Sequence, residues 1–287
     1  MRLALLSSFN YHMCCIGFLL ELFRDYDIDV FFPDDRERFL EYYKTLYFNM
    51  NITLKHVSSF IKSDYDLCIK MTSNDNVISS NEIISIAHIK QHSDNYNKYI
   101  IMSPWIKGEN NLFYFFPLYR GIKNRIYKDI ITYLGFFVKS FLDEDTKNFI
   151  KNSNYLFNFF GGDDIPELKD YPNVITGGRI DTFYMVEMIK ESKFILIRKE
   201  PFQLNDRYSG ALGHSISHGK PIIVQKNTSD SYNLPGIVFE TNYSEVIDKI
   251  NNMTEQEYEM HIKDIEEFSE KTIRDNNQTL KRLLALK

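Results

Sequence analysis

The stretch Arg207-Tyr-Ser-Gly-Ala-Leu-Gly-His-Ser-Ile-Ser-His-Gly-Lys-Pro-Ile-Ile-Val224 decides the reading of this chain. It opens as a Gly/Ser-rich loop and passes into a short helix with a close-packed face of small residues. It then turns through Gly-Lys-Pro into a buried strand. A helix that opens from such a loop presents free backbone N–H groups and the positive end of its dipole. That chemistry suits a phosphate or diphosphate.

Working outward, apolar and amphipathic runs alternate on both sides of this stretch, the pattern of an α/β protein with parallel sheets. Upstream lie predicted strands at Ile130–Phe136, Tyr155–Phe160, Asn173–Thr176 and Phe194–Ile197. Predicted helices cover Asp143–Asn152, with acidic residues suited to its N-terminal dipole, and Asp181–Glu191. Downstream lie a strand at Gly236–Glu240 and a helix at Ser244–Asn252. Thr254-Glu-Gln-Glu257 then reads as a capping box that starts a helical tail, with a break expected around Asn276-Asn277. The first 110–120 residues repeat the alternation, with strands at Leu3–Leu6, Ile28–Phe32, Ile52–His56, Tyr65–Lys70, Ile83–Ile89 and Tyr99–Met102. Helices are expected at Met13–Arg24 and Arg36–Asn49. Phe116–Lys128, with its Pro, its Gly and four basic residues, reads as the link between the halves.

The chain has 287 residues, 44% hydrophobic and 25% charged, the balance of a folded protein with room for two domains. Its net charge of −5 argues against nucleic acid as a partner. The 23 Phe and 19 Tyr read as core and surface filler. Three cysteines, two of them adjacent (Cys14, Cys15), build neither a disulfide framework nor a zinc site. They imply a reducing compartment, taken as the cytoplasm. The apolar run after Arg2 is shorter than a signal peptide requires, and no apolar stretch approaches the length of a membrane span. The cations from Arg120 to Lys128 leave peripheral membrane contact open, beside the plainer reading of a solvated linker.

From Ile130 to about Asn252 the ordered elements resemble the C-terminal domain of the GT-B glycosyltransferases. A strand ends in Gly (Thr132-Tyr-Leu-Gly-Phe136), and a second ends in Gly161-Gly162-Asp163. Asn173-Val-Ile-Thr-Gly177 is similar to the family's N-V-x-x-x-G segment. Lys193-Phe-Ile-Leu-Ile197 and Gly219-Lys-Pro-Ile-Ile223 match its a-D-v-x-v and G-x-P-V-I segments. The resemblance implies two Rossmann-like domains facing across a cleft, with a C-terminal helix packing back on the first. The corresponding boundaries are residues 1–120 for an acceptor domain, 121–265 for a nucleotide-sugar domain and 266–287 for the returning helix. It implies a glycosyltransferase that needs neither metal nor cofactor. Its partners would be a nucleotide-sugar donor and a glycan, or other hydroxyl, acceptor. A non-catalytic nucleotide- or carbohydrate-binding protein and a sugar-nucleotide epimerase are the alternatives.

The same resemblance assigns site residues. Ser209 and Gly210 would hold the donor diphosphate through backbone N–H groups, with Arg207 and Tyr208 flanking them; the alternative is that Ser209 is only an N-cap and Gly210 a packing residue. Gly135 ends a strand, and Lys139 would supply the basic residue that follows it in the family. Arg179 would edge the nucleobase pocket, and Arg198, beside Lys199, would share that rim. Many retaining members place two Glu residues before G-x-P. Asp206 and His214 stand near those positions here, so His214 would contact the ribose by a different bond. Ser7-Ser-Phe-Asn-Tyr-His12 replaces the family's N-terminal glycine loop. His12 and His88, at strand ends in the first half, are the candidates for an acceptor-side base, with Asp34 and Asp35 behind them. His214 and His218 have the spacing of a metal pair but no acidic third ligand. There is no P-loop motif.

Overall fold

A computed structural model describes residues 1–6, 15–32, 37–71, 84–87, 98–104, 112–134, 139–160, 165–178, 182–199 and 210–285. These residues divide into two compact units. One holds residues 1–120 together with those from Thr272 onward, and the other holds residues 121–199 and 210–271.

The first unit runs β1 (Arg2–Leu6), α1 (Cys15–Leu22), β2 (Asp27–Phe32), α2 (Glu37–Leu46), β3 (Ile52–His56), β4 (Leu67–Lys70), β5 (Ile84–Ala87), β6 (Tyr99–Ile101) and β7 (Leu112–Tyr114). Its seven strands lie in the order β3-β2-β1-β4-β5-β6-β7, every pairing parallel. The β1 run Leu3-Ala-Leu-Leu6 is wholly buried, as a strand covered on both faces must be.

The second unit runs β8 (Lys128–Leu134), α3 (Glu144–Asn152), β9 (Leu156–Phe160), β10 (Val174–Gly177), α4 (Thr182–Glu191), β11 (Ser192–Leu196), α5 (Gly210–Ser217), β12 (Ile222–Gln225), α6 (Lys226–Tyr232), β13 (Ile237–Phe239), α7 (Ile247–Asn251) and the start of α8 (Glu255–Ala285), whose residues from Thr272 onward belong to the first unit. Its six strands, again all parallel, lie in the order β10-β9-β8-β11-β12-β13. Phe149, Phe157, Phe194 and Ile223 form the centre of its core at 0% exposure. Asp143 caps α3 by accepting from the Thr146 N–H at 2.8 Å. The capping box ahead of α8 is present, with Thr254 N–H donating to Glu257 at 2.8 Å and Glu257 N–H to Thr254 Oγ1 at 3.3 Å.

Four sequence expectations change. α8 runs unbroken through Asn276-Asn277. Asn276 is buried, and its amide is engaged at both ends by the Phe116 backbone: it accepts from Phe116 N at 3.2 Å and donates to Phe116 O at 2.8 Å. With its side chain committed there, it does not compete for its own helix backbone. β7 was missed because three residues cannot show a period. α6 was missed because Lys-Asn-Thr-Ser-Asp-Ser-Tyr carries little apolar signal. It is closed by Asn233 in the left-handed region (φ 51°) and by Ser229 Oγ donating to Leu234 O at 2.8 Å. The Ser244–Asn252 helix is a 3-10 turn, Tyr243–Val246, followed by α7.

Candidate functional site

In an open parallel sheet, ligands bind outside the carboxyl ends of the strands, where the strand order reverses. In the second unit that point lies between β8 and β11, because the chain goes from β8 outward to β9 and β10 and then returns to β11. Arg198 stands two residues past the end of β11, at this position. Its guanidinium carbon lies 3.9 Å from the centre of the Phe141 ring, in the turn that follows β8.

The backbone that carries Arg198 is tied down by its neighbour. Lys199 Nζ donates to Asp143 at 2.7 Å and to Asp145 at 3.0 Å, and the Lys199 N–H donates to Tyr243 OH at 2.7 Å. Asp145 also accepts from the N–H groups of Tyr243 (2.8 Å) and Ser244 (3.3 Å). Burial works against the charge on Lys199, but the two carboxylates outweigh it and hold its pKa above the usual lysine value. Asp143 is likewise held below the usual carboxylate range, because Lys199 and Thr146 overcome the effect of its burial. Lys199, expected on the rim beside Arg198, is therefore a structural cation. Arg198 is carried on this braced strand end.

α5 is the crossover from β11 to β12, so its N-terminus at Gly210 also stands at the carboxyl end of the sheet. From Ala211 to Ser217 every side chain is buried. Its far end explains the Gly-Lys-Pro turn. Gly219 takes φ +67° and its N–H donates to Ile216 O at 3.0 Å, while Lys220 N–H donates to Ser215 O at 3.0 Å. This is a Schellman cap, which glycine alone adopts without a steric cost. His218 donates from Nδ1 to Ile122 O at 3.0 Å, and the fully buried Lys220 donates to Asn124 O at 3.0 Å. Burial, with a smaller contribution from His218, holds the His214 pKa at about 3. Burial holds His218 at about 4 and Lys220 at about 8. His214 is thus a neutral imidazole at 6% exposure inside α5.

Lys139 is exposed and paired with Glu167, a partner sequence reading did not supply. Gly177 closes β10 against the Phe160 ring; a Cβ there would lie 2.4 Å from a ring carbon. His12, His88, Gly135, Arg179, Arg207, Tyr208 and Ser209, together with Asp34, Asp35 and Asp206, lie outside the described residues. The structure therefore brings Arg198 and Gly210 to one sheet edge and leaves His214 within the helix. Phe141, Asp143, Asp145 and Tyr243 are the residues that sequence reasoning missed as parts of this corner. Only the acidic start of α3 signalled any of them.

Three cations of the basic link pair with carboxylates of the second unit. Lys123 pairs with Glu266 (3.4 Å), Arg125 with Glu259 (3.3 Å) and Glu266 (3.6 Å), and Lys128 with Glu191 (2.9 Å). No described helix is long and apolar enough to cross a membrane. Among the described residues, no group of three or more His, Cys, Asp or Glu could hold a metal ion.

No family model matches this sequence, and no curated protein matches it. Solved structures do match, at low identity and nearly full length. AviGT4, a glycosyltransferase involved in avilamycin A biosynthesis, superposes with a TM-score of 0.67 at 10% identity, over 99% of this chain and 98% of that one. HepE of Anabaena, in complex with UDP and glucose, gives 0.65 at 11%, over 100% and 99%. The T4 phage β-glucosyltransferase, in complex with UDP and Mn2+, gives 0.55 at 12%, over 100% of both chains. With two all-parallel sheets of this strand order and these matches, the chain has the GT-B glycosyltransferase fold.

Proposed function

We propose that this protein is a glycosyltransferase that moves a sugar from a nucleotide-sugar donor to a hydroxyl acceptor. The observation that carries the proposal is Arg198, braced at the β8–β11 switch point of a GT-B sheet, with the α5 N-terminus opening at the same edge. Arg198 and the N–H groups of Ser209 and Gly210 take the donor diphosphate, joined by Lys139, Arg207 and Tyr208 around Gly135. Arg179 edges the base. His214, a neutral imidazole, is the candidate for the ribose contact.

In the reaction, the acceptor oxygen bonds to the anomeric carbon as the bond to the diphosphate oxygen breaks. The electron pair leaves with the diphosphate, and the acceptor proton passes to a base, for which His12 and His88 are the candidates. Fixed N–H groups and arginine stabilise the charge that grows on the leaving group, so the transfer needs no metal. Residues 1–120 serve the acceptor and residues 121–265 the donor, with 266–287 returning to the first domain. The reaction is assigned to the cytoplasm and to carbohydrate biosynthesis.

A thermal-shift screen against UDP, GDP, CMP and TDP sugars, followed by donor hydrolysis with and without EDTA, tests this reading. Stabilisation by one nucleotide class and EDTA-insensitive turnover are expected. Binding without turnover would leave a binding protein, and the absence of any response would remove the proposal.

A further inference from the structure

We propose that Phe141 is a positioning residue for the donor diphosphate, acting through Arg198; this rests on the donor-site reading above. An arginine at a loop has many rotamers, and a ligand that must order it loses affinity. Here the ring of Phe141 orders it beforehand. The guanidinium carbon sits 3.9 Å from the ring centre, so the ring holds the cation by its face. The N–H donors, which lie in the guanidinium plane, are the groups that meet phosphate oxygens.

Both partners are fixed, and by the same short segment. Phe141 O accepts from Thr146 Oγ1 at 3.0 Å, Leu142 N–H donates to Lys139 O at 3.1 Å, and the Phe141 ring packs on the main core of the second unit. Asp143, two residues on, caps α3 and also binds the Lys199 ammonium next to Arg198. The α3 N-terminus thus anchors both the ring and the backbone that carries the guanidinium. A ring that merely filled space would need volume alone, whereas this contact needs a π-face over a cation.

Calorimetric titration of the full chain with the tightest binder among UDP, GDP, CDP and TDP distinguishes the two. Phe141→Leu keeps apolar bulk and removes the π-face. It should weaken binding by roughly two- to thirty-fold, the range equivalent to a cation–π contact. Phe141→Tyr should bind like the wild type. In an Arg198→Ala background, Phe141→Leu should have no further effect. Equal affinity for wild type and Phe141→Leu, with Arg198→Ala weakened, would overturn this inference alone. So would a loss from Phe141→Leu that persists unchanged without Arg198. No binding of any of the four by the wild type would overturn the donor-site reading and this inference with it.

Discussion

Acidification should destabilise the second unit well before its carboxylates titrate, because of His214 on α5 and His218 at its C-cap. In the folded chain the pKa of His214 lies at about 3 and that of His218 at about 4, against an ordinary value of 6.5. As pH falls from 7 to 5, the unfolded chain takes up protons at both positions and the folded chain does not. The unfolded state binds more protons over that window, so stability falls as pH falls. Each histidine then costs about 2 kcal/mol by pH 5, and the pair roughly 3–4 kcal/mol. That is a large fraction of the 5–15 kcal/mol typical of a folded protein. His261, also held below its ordinary value by burial and by Lys249, adds a smaller contribution of the same sign. Asp29 and Asp143 are held low by lysine partners despite their burial. Their contributions are lost only as pH drops below the ordinary carboxylate range, outside this window. Urea unfolding at pH 7, 6 and 5, followed in the second unit, measures the effect. The variant His214→Leu/His218→Gln should lose most of the pH dependence while retaining a side-chain donor for Ile122 O. If wild type and variant lose the same stability between pH 7 and 5, the reasoning is refuted.

Three further outcomes follow from the same packing. Lys220 sits in the fold with a pKa of about 8 because burial disfavours its charge. Stability should therefore rise between pH 8 and 10, as the folded chain sheds a proton that the unfolded chain keeps, and Lys220→Met should abolish that rise in urea midpoints. Asn276→Ala strands both the N–H and the carbonyl of Phe116. It should cost about 2–4 kcal/mol in thermal unfolding, outweighing a helix-propensity gain of roughly 0.5 kcal/mol. Gly219→Ala places a Cβ at φ +67° and should cost about 1 kcal/mol, with Gly219→Asn milder, as read by melting temperature.

The parallel sheets were legible because their strands are near-continuous apolar runs, and the caps at Asp143 and Thr254 because capping is local chemistry. What escaped was set by tertiary partners. Asn276-Asn277 reads as a helix break until Phe116 supplies partners for the Asn276 amide. Lys199 and Arg198 are adjacent cations with the same apparent prospects. Only the fold shows that Asp143 and Asp145 claim the first and the Phe141 ring orients the second. His214 and His218 carry the spacing of a metal pair, yet burial keeps both neutral and His218 serves a backbone carbonyl.

The most direct test of the account is nucleoside diphosphate binding by the wild type and by Arg198→Ala. The account predicts that at least one of UDP, GDP, CDP and TDP binds. It further predicts that removing the guanidinium weakens that binding at least tenfold, the value of about one charge-assisted hydrogen bond. Equal affinity in the two proteins, or no binding by the wild type, would contradict it.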